Sequence, residues 1–483
     1  MKKIILLTAF IAVFASSCTD EITGLNEDGK RPTTTKAEYL FTNAEKALVD
    51  QMTSTSVNLN VFRLFSQQWT ETTYPDESQY NITTRTIPDN HFGVLYRDVL
   101  RDFKEAKDLL ALETPATPAQ TAILNNKKAV IDILMVYTYN ILVDTFGDVP
   151  YSESLDILNF PLPKYDDGET IYKDLIARLA ADNTAITAGE DSFGSADLIY
   201  GGDAANWKKF ANSLRLKLAI NLHDVDAAYA ATQISAAFTA GVFTSNADDA
   251  NLDYIDGVVQ NANPLYADLV VSGRNDFIPA NTLVDKMNTL NDPRRAKYFE
   301  YKAGTTTYVG GVYGASNGFS NYSHITNSLN KKEYPGTILS YAEVEFLLAE
   351  AAARGVAVGG TAALHYTTGI TASMESWGVA DADILTYLAQ PSVVYNAATW
   401  KKSIGEQAWI GLYNRGFEAW TSWRRLDFPV LPLPATTYND ITAVPTRYSY
   451  PAKEQTINST NVEAAIAKIG GDALTTKLFW DKN

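Results

Sequence analysis

Asp203-Ala-Ala-Asn-Trp-Lys-Lys-Phe-Ala-Asn-Ser-Leu-Arg-Leu-Lys-Leu218 is the stretch on which the fold turns. Trp207, Phe210, Ala211, Leu214 and Leu218 recur at the spacing of one helix face, and Lys208, Lys209, Arg215 and Lys217 fall on other faces. Asp203, just after Gly201-Gly202, offers a carboxylate to the free amides of the first turn, so the helix starts there. A stripe this wide needs another element to cover it. The same periodicity runs over 37–52, 92–112, 120–146, 170–188, 229–240, 340–354, 359–377, 399–416 and 417–425. Amphipathic helices in succession, joined by short connectors, predict a mostly α chain in which neighbouring helices cover one another's apolar stripes. No strict ~34-residue period is present, so any repeat of the tetratricopeptide kind is degenerate.

The chain has 483 residues, of which 46% are hydrophobic and 20% charged, a composition that builds a packed interior. Its formal charge of −16 repels phosphate backbones and argues against a nucleic-acid partner. One cysteine excludes a disulfide framework and a Cys-based zinc site, and four scattered histidines leave little for a His-rich one. There is no phosphate-cradling P-loop and no dinucleotide fingerprint, so no cofactor is expected. What the composition does supply is rings: 27 Tyr, 20 Phe and 8 Trp.

The first 17 residues have the layout of a secretory signal: Lys2-Lys3, an apolar run from Ile4 to Phe14, then Ala15-Ser16-Ser17. The lone cysteine, Cys18, stands where small residues give way to polar ones, a pattern similar to the bacterial lipobox, which makes Cys18 the expected lipidation site. Acyl chains there would anchor the protein to a membrane, since each buried CH₂ contributes ~0.8 kcal/mol. Residues 18–35 read as a flexible tether and 36–483 as one domain. The richest later apolar stretch, 129–146, is broken by Asp132, Asn140 and Asp144 and reads as a buried helix.

Three insertions, near 59–90, 242–281 and 302–337, lack sustained helical periodicity and are rich in polar residues and tyrosine. Long polar loops are uncommon unless functional. Sugar rings present C–H faces and hydroxyl edges, so a site for them needs flat aromatic faces with polar groups at the rim. The first insertion offers Trp69, Tyr74, Tyr80 and Asn81; the second, Tyr266, Arg274, Asn275 and Phe277; the third, Tyr313, Phe319 and Tyr322 among glycines. Trp69 also continues an apolar helix face through Phe62 and Phe65, which would place it in the core. Trp207, Trp420 and Trp423 read as packing residues, and Arg424-Arg425 as structural ion-pair partners. Asp248 and Asp249 form a weak Ca²⁺ candidate without EF-hand spacing; a solvated loop is the simpler reading. Gly314-Ala-Ser-Asn-Gly318 spells GxSxG, but no helix follows it as a nucleophile elbow requires.

Several strings together carry a resemblance: Asp144-Thr-Phe-Gly-Asp-Val-Pro-Tyr-Ser-Glu153, Pro163-Lys-Tyr-Asp-Asp-Gly-Glu-Thr-Ile-Tyr172, Asp197-Leu-Ile-Tyr-Gly-Gly-Asp203, Glu418-Ala-Trp-Thr-Ser-Trp-Arg-Arg425, Arg447-Tyr-Ser-Tyr-Pro-Ala-Lys-Glu454 and Trp480-Asp481. With the lipobox-like start, the chain resembles the SusD/RagB family of outer-membrane nutrient-binding lipoproteins of Bacteroidetes, from Cys18 to Trp480. The resemblance implies a tetratricopeptide-like helical scaffold with a loop-rich half. It also implies a surface-exposed, non-catalytic lipoprotein that captures an oligosaccharide or a peptide and passes it to a SusC-like TonB-dependent transporter. Two rival readings remain open at this point. One is a secreted (α/α)-helical glycoside hydrolase, the other a structural helical protein that assembles with a barrel and binds no nutrient.

Overall fold

The computed structural model describes residues 35–258 and 261–482. The signal segment, Cys18 and nearly all of the tether lie outside the described residues.

The scaffold is helical, as the periodicity predicts. Its longer helices are α1 (Ala37–Thr53), α2 (Arg101–Ala111), α3 (Pro118–Phe146), α4 (Gly168–Ala185) and α5 (Ala204–Asn221). They continue with α6 (Ala227–Ala240), α7 (Tyr341–Ala353), α8 (Ala362–Ser376), α9 (Trp400–Gly411) and α10 (Gly416–Leu426). Sequence neighbours pack on one another: α3 on α4, α4 on α5, α5 on α6, α7 on α8 and α9 on α10. Asp203 caps α5 as expected, accepting from the amides of Ala205 and Asn206, and Ser340 and Thr361 cap α7 and α8 in the same way.

α3 is long and apolar enough to cross a membrane, yet its most apolar window is wholly enclosed by the other helices. Its polar residues are paired there. Asp132 meets Arg178 at 2.9 Å and Lys107 at 2.5 Å, and Asn140 donates to Asp144 at 2.8 Å and to the Tyr172 hydroxyl at 3.0 Å.

Lys217 departs from the periodicity reading, which places it on an outer face. Its side chain is buried between α7 and α10, 3.1 Å from Glu343 and also paired with Glu418, and Arg415 reaches Glu343 at 2.6 Å. Burial opposes the Lys217 ammonium, but the two carboxylates outweigh it and hold its pKa above the usual lysine value. Two cations and two anions thus close the seam between three helices, and Tyr137 donates to Glu418 at 3.2 Å. Arg424 and Arg425 are buried and structural, as read from sequence. Arg424 lies over the Trp420 ring at 3.5 Å and donates to the carbonyl of Asp144, while Arg425 pairs with Glu350 at 2.8 Å.

The insertions contain short antiparallel strand pairs that join them. β1 (Trp69–Glu71) pairs with β5 (Phe277–Pro279), and β4 (Ala250–Leu252) with β6 (Gly336–Leu339); β2 (Val149–Pro150) and β3 (Tyr165–Asp166) form a third pair elsewhere. The segment around Gly311 adds to this set. The Gly311 amide donates to Pro279 at 2.9 Å, and Asn281 donates to the Gly311 carbonyl at 2.7 Å. A Cβ on Gly310 would sit 2.5 Å from the Asn281 backbone, so this close approach requires glycine. Three insertions distant in sequence therefore become one framework.

Candidate ligand-binding face

β1 ends at Glu71 and runs into a loop with Tyr74 near its tip, the ring 59% exposed. The loop is closed from beneath. The amide and hydroxyl of Ser78 donate to one Glu71 oxygen at 2.9 and 2.8 Å, and Arg85 holds Glu77 at 2.5 Å. Burial and then the adjoining Glu77 push the Glu71 carboxyl up to about 9, so it keeps its proton near neutrality and bonds to its neighbour.

The second insertion lies directly beside this loop. The Thr72 amide donates to Asp276 at 2.9 Å and its hydroxyl to the Asn275 carbonyl at 2.6 Å. Arg274 and Asn275 are exposed there. Asp276 pairs with Arg274 at 2.6 Å and raises its pKa, and Tyr74 lies near the same guanidinium. The third insertion reaches the same residue, because the amide of Asn317 and the hydroxyl of Ser316 donate to the Thr72 carbonyl at 2.6 and 3.1 Å. Further along it, Phe319 stacks on His324 with centroids 3.8 Å apart and planes 17° apart, and Tyr322 is half-buried.

Five expected contact residues are corrected by this arrangement. Trp69 is core: its ring is 1% exposed, its indole donates to the Tyr413 hydroxyl at 3.1 Å, and the Arg63 guanidinium lies 5.2 Å from the ring centroid. The alternative reading of Trp69 as core is the one observed, although it stands on β1 and does not continue a helix face, since the helix ends at Phe65. Tyr80 is enclosed, edge-on to Phe65, and burial pushes its hydroxyl up to about 12. Tyr313 is enclosed too, donating to the Leu64 carbonyl at 2.8 Å. Asn81 is buried and caps a turn, accepting from the Thr84 amide at 3.2 Å. A ring or amide sealed in this way offers no face to a ligand. Phe277 is likewise buried, whereas Tyr266 is half-buried with the Lys332 ammonium 5.7 Å over its ring.

Tyr301 and Tyr308 were not among the expected contacts. Their rings stack at 4.7 Å and 29°, with Tyr301 51% exposed and Arg295 5.7 Å behind Tyr308. Tyr301-Lys-Ala-Gly-Thr-Thr-Thr-Tyr308 contains their signal: two tyrosines flank a Gly304 turn with φ 74°, and Lys302 donates to the Thr307 carbonyl at 3.0 Å. The Glu300 amide donates to the His324 carbonyl at 2.9 Å, which sets this pair beside the Phe319–His324 stack.

Asp248 spends its oxygens on Lys209 at 2.6 Å and on the amide and hydroxyl of Thr244, and Asp249 accepts from the Tyr341 amide at 2.6 Å. Both carboxylates are thereby turned to internal partners. Among the described residues no group of three His, Cys, Asp or Glu side chains is placed to hold a metal ion. Ser316, in the GxSxG string, donates to a main-chain carbonyl, and the short helical turn at Phe319–Asn321 is not the long helix of a nucleophile elbow.

The molecule is thus a helical scaffold that carries three fused loops with exposed rings and polar rims, and its GxSxG string forms no nucleophile elbow. The chain belongs to the SusD-like family described as starch-binding and associating with the outer membrane, which matches residues 29–451. Among solved structures it is similar to a chitin-binding protein, at 29% identity and TM-score 0.79, covering 93% of this chain and 100% of the other. A SusD homolog from Bacteroides uniformis matches at 27% identity and TM-score 0.78, covering 92% and 100%. A chitin-binding SusD homolog from Flavobacterium johnsoniae matches at 25% identity and TM-score 0.78, covering 92% and 98%. No curated protein matches the chain.

Proposed function

We propose that this protein is a surface-exposed, non-catalytic outer-membrane lipoprotein that captures an oligosaccharide on the face around Tyr74 and delivers it to a SusC-like TonB-dependent transporter. One observation carries the reading. Thr72 hydrogen-bonds residues of both other insertions, so Tyr74, Arg274 and Asn275 are gathered beside one backbone position. The exposed Tyr74 ring supplies a stacking face, and Arg274 and Asn275 supply rim donors for hydroxyls. The stacked Tyr301–Tyr308 pair and the Phe319–His324 stack extend the aromatic surface, so the face suits a chain of sugars better than a single ring. Two similar proteins described as chitin-binding favour a β-linked glycan with N-acetyl groups as the first ligand to test. In this reading Cys18 carries the lipid and residues 18–35 tether the domain to the cell exterior.

Calorimetric titration with chitin and starch oligosaccharides tests it, with a short peptide pool as the comparison. We expect saturable binding of one glycan series, no change in its chain length after incubation, and loss of binding in Tyr74→Ala. Binding of peptides alone, or shortening of the glycan by the protein, would overturn the proposal.

A further inference from the structure

A polar cavity lies away from the Tyr74 loop, walled by the end of α1, the segments before β4 and around β6, the end of α8 and the turn between α9 and α10. Its volume is about 160 Å³. Cavities of ~150 Å³ hold one six-membered ring. Half-buried Tyr334 and Trp377 and exposed Ser376 stand on its lining where it meets solvent. Trp377 and Tyr413, with centroids 5.8 Å apart, give it an aromatic wall.

Two atoms of lining residues are buried without a partner: Nε of Arg415, a donor, and Oδ1 of Asn246, an acceptor. Leaving such an atom unmatched costs about 1–3 kcal/mol, and an occupant that both accepts and donates would satisfy the two.

The rest of the lining limits the occupant's charge. Arg415 has no open fork for a carboxylate or phosphate, because its two terminal nitrogens go to Ser340, Ile338 and Glu343 at 2.9, 3.0 and 2.6 Å. Arg63 spends all three nitrogens on Asn414, Ser54 and Thr53. Glu418 is engaged by Lys217 and Tyr137, and Asp249 by the Tyr341 amide. Two cations, Arg63 and Arg415, balance two carboxylates, Glu418 and Asp249, and each already has internal hydrogen-bond partners. A hydroxyl group, which donates and accepts at once, matches the two open atoms, and a ring C–H face matches the aromatic wall.

We propose that this cavity is a second binding site, for one neutral sugar ring or a small polyol, independent of the oligosaccharide face around Tyr74.

The test uses the whole protein with glucose, N-acetylglucosamine and glycerol as probes, read by ligand-observed magnetic resonance and by thermal shift. Asn246→Leu removes the open acceptor, and Ser376→Trp obstructs the mouth from an exposed position that the fold tolerates. We expect one of the probes to bind wild type and Tyr74→Ala within twofold of each other, and each cavity variant at least fivefold more weakly. A melting temperature for Ser376→Trp equal to that of wild type keeps the result separate from misfolding. The proposal fails if no probe binds and a crystal soaked with them shows only ordered water in the cavity. It also fails if binding survives both cavity variants, or if Tyr74→Ala abolishes it. Failure of glycan binding at the Tyr74 face would leave this site standing, since the two respond to different variants.

Discussion

Thr72 donates its hydroxyl to the main-chain carbonyl of Asn275 across 2.6 Å. The bond spans two insertions some two hundred residues apart in sequence, and Thr72 also accepts from Asn317 in the third. One backbone position thus fixes the mutual placement of three loops, so the geometry of the face depends on a few buried polar groups more than on the exposed rings.

Asn317 is the most committed of these groups. Its side-chain amide donates to the carbonyls of Glu71, Val312 and Ala315 at 2.9, 3.0 and 2.8 Å, and its oxygen accepts from the Val312 amide at 2.9 Å. Asn317→Ala strands several buried backbone groups, each costing about 1–3 kcal/mol if water cannot reach it. We expect a lower denaturation midpoint together with weaker oligosaccharide binding, measured by urea unfolding and calorimetry on the same preparation. Full stability with lost binding would instead make Asn317 a ligand contact.

The Glu71–Glu77 pair gives the loop a pH dependence of definite sign. An unfolded Glu71 ionises near 4.5, whereas the folded one keeps its proton to about 9. The folded chain therefore holds one more proton across that interval, and this contribution to stability falls as pH rises through it. Glu71→Gln, a neutral isostere, flattens that slope. Thermal melts recorded from about pH 5 to 9 in wild type and Glu71→Gln check it, and parallel slopes in the two proteins would refute it.

Lys217 tests the buried charge seam. Removing one partner of a buried ion pair costs about 3–5 kcal/mol because the remaining charge stays desolvated. Lys217→Met leaves Glu418 with Arg415 at 3.8 Å as its remaining cation. We expect a loss of that order in urea unfolding, partly recovered in Lys217→Met/Glu418→Gln, where the stranded carboxylate is neutral. Additive losses in the double variant would show that the two groups do not share a field.

The helices were legible because each repeats one short-range rule: the stripe on α5 and its Asp203 cap need no knowledge of the rest of the chain. Lys217 was misplaced because a charged residue on a helix reads as solvent-facing unless its partners are known, and Glu343 and Glu418 lie more than a hundred residues away. The site was legible as a composition and only partly as positions. Tyrosines in polar insertions marked the right regions, yet burial of Trp69, Tyr80 and Tyr313 is decided by the β1–β5 pairing and by the Leu64 carbonyl that Tyr313 meets. Tyr301 and Tyr308 pair only once the turn at Gly304 folds them together.

Tyr74 and Trp69 are five positions apart, and their alanine variants separate contact from scaffold. Tyr74 is 59% exposed and the Trp69 ring 1%. Trp69→Ala removes a packed indole, its hydrogen bond to Tyr413 and its stack with Arg63, which for a core tryptophan costs about 3–5 kcal/mol. Tyr74→Ala opens no cavity, and surface changes of this kind stay within about 0.5 kcal/mol. For binding the order reverses, because loss of one stacking ring costs roughly 1–2 kcal/mol, or about tenfold in affinity, at unchanged stability. Urea unfolding and calorimetry with the best-binding oligosaccharide decide it. If Tyr74→Ala binds like wild type, the stacking face lies elsewhere, and the exposed Tyr301–Tyr308 pair becomes the next surface to remove.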